Sequence, residues 1–397
     1  METTEAFIGL RCVECGELFD AEEATHRCPE CEGILDPEYD FDVLDVSRET
    51  FAGRRFDSMW RYEELLPFTR ASAVSMDEGA TALVNAPKLA DELGVGRVLI
   101  KDEGRNPTGT FKDRGQTVAV TAASQHGASD VALASAGNAG QAAAAYAARA
   151  GLDAHVFLPS RSGFTQKAMV NVHGGDMTVV EGRIGDAGAA YEGAMEENPE
   201  WYSVKTFVTP YRHEGKKTML YETVEQLDWE VPDAVVYPTG GGVGLVGMHK
   251  AAKELRDLGL TDDLPSMYAA QAEGCAPVVR AFEEGRDVHE PWQNPDTICG
   301  GIEIPDPGAS PLILDALRES DGGAVATSDQ DILDSAVTVA QNEGVEMGAT
   351  CAAAASGAWE LAQRGEFDED DTIVLLNTGH GSKDDDILRS HLMSKGI

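Results

Sequence analysis

Asp102-Glu103-Gly104-Arg105-Asn106-Pro107-Thr108-Gly109-Thr110-Phe111-Lys112-Asp113-Arg114-Gly115 sets a lysine on a turn punctuated by proline and glycine. It follows directly on an apolar run, Val98-Leu99-Ile100. A lysine held in a tight, partly desolvated loop can lose its proton and attack a carbonyl to form a Schiff base. The ordinary reading of any lysine is a solvated surface cation. What decides between them is whether the rest of the chain supplies partners for such chemistry.

Downstream the pattern alternates. Val131-Ala132-Leu133-Ala134 reads as a buried strand, Ser135 to Gly140 as a small-residue turn, and Gln141 to Ala150 as an alanine-rich helix ended by Gly151. Further strands are expected at Ala154 to Leu158 and Met177 to Val180, with a helix from Thr165 to His173 between them. Short links between alternating strands and helices predict a parallel sheet with right-handed crossovers. A second α/β block has strands at Ala234 to Tyr237, Met267 to Ala270 and Thr372 to Leu376, and a helix from Leu245 to Leu258. The segment Phe56-Asp57-Ser58-Met59-Trp60-Arg61-Tyr62 is aromatic enough to pack against the main body.

The 397 residues allow two or three domains. Acidic side chains number 69 against 31 basic, a formal net charge of −38. The excess is spread along the chain instead of concentrated in a tail, as expected for a hydrated surface adapted to concentrated salt and thus for a halophilic source. Such a surface argues against nucleic-acid and anionic-membrane partners, which need a basic footprint. No run approaches a membrane span, and the acidic start Met1-Glu2-Thr3-Thr4-Glu5-Ala6 does not read as a signal peptide. A cytoplasmic protein is expected.

Four of the seven cysteines form two knuckles, Cys12-x-x-Cys15 and Cys28-x-x-Cys31, twelve residues apart. Each knuckle can offer two thiolates to one ion, and four thiolates complete a closed tetrahedron suited to structural zinc. The polar segment around them has too little core to fold alone, so a bound metal supplies the missing stability. His26 lies nearby and is expected on the surface, with a ligand role as the alternative. Cys275, Cys299 and Cys351 are scattered singly, which does not read as a disulfide framework.

Three more segments carry chemistry. Pro238-Thr239-Gly240-Gly241-Gly242-Val243-Gly244 links a strand to a helix, and its glycines allow successive N–H groups to converge on phosphate oxygens at a helix N-terminus. Ser135-Ala136-Gly137-Asn138-Ala139-Gly140 is a polar turn that can also cap the following helix. Leu376-Asn377-Thr378-Gly379-His380-Gly381-Ser382-Lys383-Asp384 closes the last strand.

In this order these segments resemble the threonine synthase family of fold-type II pyridoxal-phosphate enzymes, and the stretch Glu343 to Ala352 is similar to that family too. The resemblance implies a tryptophan synthase β-like fold of two three-layer α/β domains plus a small N-terminal zinc ribbon. Applied to this chain, it gives a ribbon over 1–35, a large domain over 36–116 and 206–397, and a small inserted domain over 117–205. It implies pyridoxal 5′-phosphate as cofactor, with Lys112 as the amine for its aldehyde and as the proton shuttle. Gly240, Gly241, Gly242, Val243 and Gly244 then cradle the phosphate, Asn138 donates to the 3′ oxygen, and Thr378 faces the ring nitrogen. Ser135 is implied to bind the substrate carboxylate, and Arg212, in Thr209-Pro210-Tyr211-Arg212-His213-Glu214-Gly215, the substrate phosphate. His380 is open between a catalytic and a structural role.

Two departures qualify the implied reaction, the conversion of O-phospho-L-homoserine and water to L-threonine and phosphate. Ala139 stands where relatives often carry a polar residue, and Thr206-Phe207 where Asn-Ser is common. The alternative is a threonine/serine ammonia-lyase on the same fold, which needs no second phosphate pocket. A zinc-ribbon binding protein with a degenerate enzyme body is the reading from another class. Related enzymes are often homodimers.

Overall fold

Val98, Leu99 and Ile100 are almost wholly buried in the computed structural model, which describes residues 1–396. The strands, in chain order, are β1 (Phe7–Cys12), β2 (Leu18–Phe19), β3 (Leu35–Tyr39), β4 (Leu83–Asn85), β5 (Arg97–Asp102), β6 (Asp130–Ala134) and β7 (Asp153–Pro159). They continue with β8 (Asp176–Val180), β9 (Tyr202–Ser203), β10 (Ala234–Pro238), β11 (Ser266–Ala272), β12 (Gly323–Thr327) and β13 (Thr372–Asn377). The chain divides into two compact units: Met1–Ala80 with Lys112–Thr218, and Thr81–Phe111 with Met219 onward.

The second of these units is built on a six-stranded sheet in the order β12-β11-β10-β13-β5-β4. All its pairs are parallel except β4 with β5, which is antiparallel at one edge. Its central strands carry continuous apolar runs because helices cover both faces of such a sheet. The helix Ala353–Arg364 packs on β10 and β12 through Ala353, Ala354, Ala355 and Ala358, all buried. Gly357 brings it closest: a methyl there would stand 2.9 Å from Val325 Cγ1. Small residues thus let the helix reach close-packed contact with the sheet.

The other unit holds a parallel sheet in the order β8-β7-β6-β9 and an antiparallel one in the order β2-β1-β3. Val131, Leu133, Val156 and Leu158 of the parallel sheet share a core with Ala143, Ala144, Tyr146 and Ala147 of the helix Asn138–Ala150. Trp60 joins this core fully buried, its indole N–H donating to Glu78 at 2.6 Å, and Tyr146 donates to the other oxygen of that carboxylate at 2.8 Å. The expected packing of the aromatic segment is therefore met, around a buried carboxylate supplied with donors.

Two helix starts in this unit meet at glycines. A methyl on Gly215, in the helix Arg212–Gln226, would lie 1.7 Å from the Arg114 carbonyl oxygen. One on Gly115, in the helix Lys112–Gln125, would lie 2.9 Å from the Arg212 carbonyl oxygen. No side chain fits between the backbones there.

Three helix starts differ from the sequence expectation. Lys112 is the first residue of a helix instead of a turn residue, Asn138 opens the next one, and Val243 and Gly244 are already helical. In each case the helix starts on the polar or glycine residues that apolar periodicity skips over. No helix among the described residues is long and apolar enough to cross a membrane.

Candidate functional site

In the six-stranded sheet, β10, β13 and β5 are neighbours and parallel, with Val236 beside Leu375 and Leu375 beside Ile100. Their carboxyl ends run into the glycine turn, the Thr378 turn and the lysine loop, so three sequence motifs leave the sheet side by side. Ligands of open α/β sheets bind at this end of the strands. The lysine loop is tied down here by main-chain bonds. Phe111 N–H donates to the Thr378 carbonyl at 2.9 Å, His380 N–H donates to the Gly109 carbonyl at 3.0 Å, and Thr110 pairs with Gly379.

The glycine turn fits a phosphate. Gly242 adopts φ +71° as the residue before the helix Val243–Asp257. Its built methyl would meet Ile313 Cδ1 at 2.2 Å, and that of Gly244 the Tyr237 hydroxyl at 2.1 Å. A methyl on Gly241 meets no atom within 4 Å, so that position faces open space. First-turn amides have no intrahelical acceptor, and the positive helix end favours an anion. This donor set of neutral N–H groups suits the phosphate of pyridoxal phosphate.

Thr378 is buried, and its hydroxyl donates to Cys351 Sγ at 3.2 Å, while that thiol donates to the Gly379 carbonyl at 3.3 Å. Burial pushes the Cys351 thiol up to about 12, so it stays protonated while it holds the Thr378 hydroxyl. The imidazole of His380 accepts from Ser382 N–H at 3.2 Å and caps the short turn Gly381–Asp384. The ring thereby has a local structural contact. The nearby Lys101 is not a competitor for Lys112. Its ammonium is wholly buried in an ion pair with Glu222 at 2.8 Å, with further bonds to the Thr81 carbonyl and Gln226.

The other unit gathers the remaining residues at the carboxyl ends of β6 and β9, which are neighbours. Ser135 Oγ accepts from Gly137 N–H at 3.0 Å and Gly140 N–H at 2.9 Å, which shapes the loop and leaves its hydroxyl proton for a ligand. Gly137, at φ +144°, delivers Asn138 to the helix start, where the buried Oδ1 has no hydrogen-bond partner. Lys112, half-buried, heads its own helix, and Gly115 lies one turn on. A methyl on Gly115 would be 3.3 Å from Arg212 Nε. Arg212 thus lies against the first turn of the helix that Lys112 heads. Arg212 is 1% exposed, and one Nη donates to the Val204 carbonyl at 3.2 Å.

Gln116 was not singled out by the motifs. It is fully buried one turn after Lys112, with Nε2 donating to the Ala139 carbonyl at 3.4 Å and Oε1 lacking a partner. The only sequence signal for it is its four-residue spacing from the lysine. Phe207 takes φ +56° and stacks its ring on His213, centroids 5.7 Å apart. It is buried and brings no polar contact to the arginine.

The four N-terminal cysteines converge. Their sulfurs all lie within 4.8 Å of one another, with Cys12 to Cys31 at 3.5 Å and Cys15 to Cys28 at 3.6 Å. A tetrahedron of Zn–S bonds near 2.3 Å has edges of about 3.8 Å, so the donor set fits zinc without rearrangement. Although burial opposes ionisation, hydrogen bonds from the Cys15 and Glu14 amides bring Cys12 down to about 7, which favours the thiolate. His26 corrects the sequence reading. It is neither a surface residue nor one of the convergent ligands: Nε2 accepts from Ser203 N–H at 3.0 Å, and the ring packs on Tyr202. Burial pushes it down to about 4, leaving a neutral ring able to accept.

A sequence profile of the family described as pyridoxal-phosphate dependent enzyme matches residues 74–379. The chain belongs to that family. It is 36% identical over 376 residues to a threonine synthase of Methanosarcina acetivorans, covering 94% of this chain and 92% of the relative. It is 37% identical over 379 residues to a threonine synthase of Methanocaldococcus jannaschii, covering 95% and 93%. These relatives set the chain among the threonine synthases. Solved structures share the fold: diaminopropionate ammonia lyase from Escherichia coli aligns with TM-score 0.71 at 17% identity, over 88% of this chain and 93% of that one. Processed threonine deaminase isoform 2 from Solanum lycopersicum aligns with TM-score 0.68 at 22% identity, over 80% and 83%.

Proposed function

We propose that this pyridoxal-phosphate enzyme converts O-phospho-L-homoserine and water to L-threonine and phosphate. The observation that carries the reading is Arg212, a buried guanidinium beside the first turn of the Lys112 helix, in a chain whose relatives are threonine synthases. A planar fork of donors in a site screened from water suits a second phosphate, that of the substrate.

In this reading Lys112 holds the cofactor aldehyde and, once released, moves protons at the substrate carbons. The amides of Gly240 to Gly244 bind the cofactor phosphate, Asn138 meets the 3′ oxygen, and Thr378 meets the ring nitrogen without placing a charge there. The free hydroxyl proton of Ser135 and the amides of its loop take the substrate carboxylate. Bound pyridoxal phosphate supplies the electron sink that elimination and water addition require. The cysteine quartet holds structural zinc, and the net charge of −38 suits a protein that gains stability in molar salt.

Ala139 and Phe207 favour a second reading, threonine/serine deamination, because both replace polar contacts with apolar surface. Two assays on the purified holoenzyme separate them: phosphate release from O-phospho-L-homoserine and 2-oxobutanoate release from threonine. Phosphate release with a much higher kcat/KM is expected. Formation of 2-oxobutanoate without phosphate release overturns the proposal.

A further inference from the structure

The N-terminal segment grips the chain on both sides of Arg212. On one side His26 Nε2 accepts from Ser203 N–H at 3.0 Å, and Tyr202 donates to the Thr25 carbonyl at 3.4 Å. The next residue, Val204, offers the carbonyl that accepts from the Arg212 guanidinium at 3.2 Å. On the other side Asp36, in β3, accepts from His213 Nε2 at 2.7 Å. Tyr39, at the end of β3, donates to Glu214 at 2.5 Å. Lys217 completes that corner, 2.6 Å from Glu214 and 4.2 Å above the Tyr39 ring. His213, Glu214 and Lys217 are all buried.

A long arginine side chain loses rotamer freedom on being fixed. A site that fixes it before the ligand arrives binds more tightly for the same contacts. Here both the carbonyl that holds the guanidinium and the helix turn that carries it are pinned by residues 26 to 39.

We propose that the N-terminal module is a positioning element for Arg212, acting through His26, Asp36 and Tyr39, and so sets affinity for the anionic end of the substrate. This rests on the reading of Arg212 as the substrate-phosphate arginine. The module's cysteine quartet then serves substrate binding as well as local folding.

The test uses holoenzyme variants and two ligands, O-phospho-L-homoserine and inorganic phosphate. Asp36→Leu and His26→Leu are expected to raise KM and the phosphate dissociation constant about tenfold, a change of about 1.4 kcal/mol. Turnover should stay within about twofold, and the cofactor absorbance band should be unchanged. Asp36→Asn, which still accepts from His213, should recover most of the loss. In an Arg212→Lys background, Asp36→Leu should add no further loss, because the two changes act through one group. If the losses add in that background, or if phosphate affinity does not move in folded variants, the positioning role is overturned. A fall in turnover, cofactor content and Tm together in Asp36→Asn overturns it as well. If Arg212→Lys alone leaves phosphate affinity untouched, it is the functional reading of Arg212 that fails, a result distinct from failure of the module's role.

Discussion

Two regions differ in what they offer a ligand: the glycine turn after β10 offers main chain, and the loops after β6 and β9 offer side chains. At the ends of β10, β13 and β5 the Thr378 and Gly109 carbonyls tie the loops down, and the glycine turn leads into a helix start. At the ends of β6 and β9 side chains make the contacts, Ser135 with Gly137 and Gly140, Gln116 with Ala139, and Arg212 with Val204. A main-chain site tolerates little variation, because a methyl on Gly242 or Gly244 would collide within 2.2 Å. A side-chain site can exchange Asn-Ser for Thr-Phe and keep its scaffold. Selectivity between substrates should therefore reside in the second region and cofactor retention in the first.

Substitutions can break that division or sharpen it. Lys112→Ala should have the largest effect. Turnover should fall by at least about 1,000-fold, the order expected for removing a combined nucleophile and proton carrier. The visible band that borohydride bleaches should disappear, as absorbance spectra will show. Arg212→Lys comes next. Steady-state kinetics should show KM for O-phospho-L-homoserine up by about 10- to 100-fold with cofactor binding intact, since lysine cannot reproduce the bidentate fork. Loss of cofactor in that variant would contradict the division.

Gly244→Ala should do the reverse. Overpacking against Tyr237 costs about 1–3 kcal/mol, and calorimetry should show cofactor affinity reduced about tenfold while phosphate binding by the remaining holoenzyme is unchanged. Gln116→Met is the mildest. Removing a buried amide oxygen that lacks a partner should leave thermal stability unchanged or raise it by about 1 kcal/mol, measured by thermal denaturation. A marked destabilisation would mean that the amide is satisfied within the fold.

The main-chain region was largely legible in the amino-acid sequence. Four glycines between a strand and a helix, and a lysine loop after an apolar run, are local patterns with local causes. The parallel strands at Val131, Ala154, Ala234 and Thr372 were legible for the same reason, through continuous buried runs. The helix starts at Lys112 and Asn138 were missed because polar residues with ligand work to do interrupt apolar periodicity. His26 was misread because its partner, Ser203, is 177 residues away. Asp36 and Tyr39 belong to no motif in the sequence; they lie on β3, paired with β1, and meet His213 and Glu214 more than 170 residues away. Gln116 carries no motif at all, and its interest comes only from burial without a partner.

The cysteines differ sharply in reach. Cys275, Cys299 and Cys351 are buried in the second unit, and burial raises the thiols of Cys299 and Cys351, the latter to about 12. Cys15 and Cys31 are exposed. A thiol reagent that works by access should therefore reach Cys15 and Cys31 ahead of the three thiols of the second unit, and ion binding at the quartet should show as protection of these two.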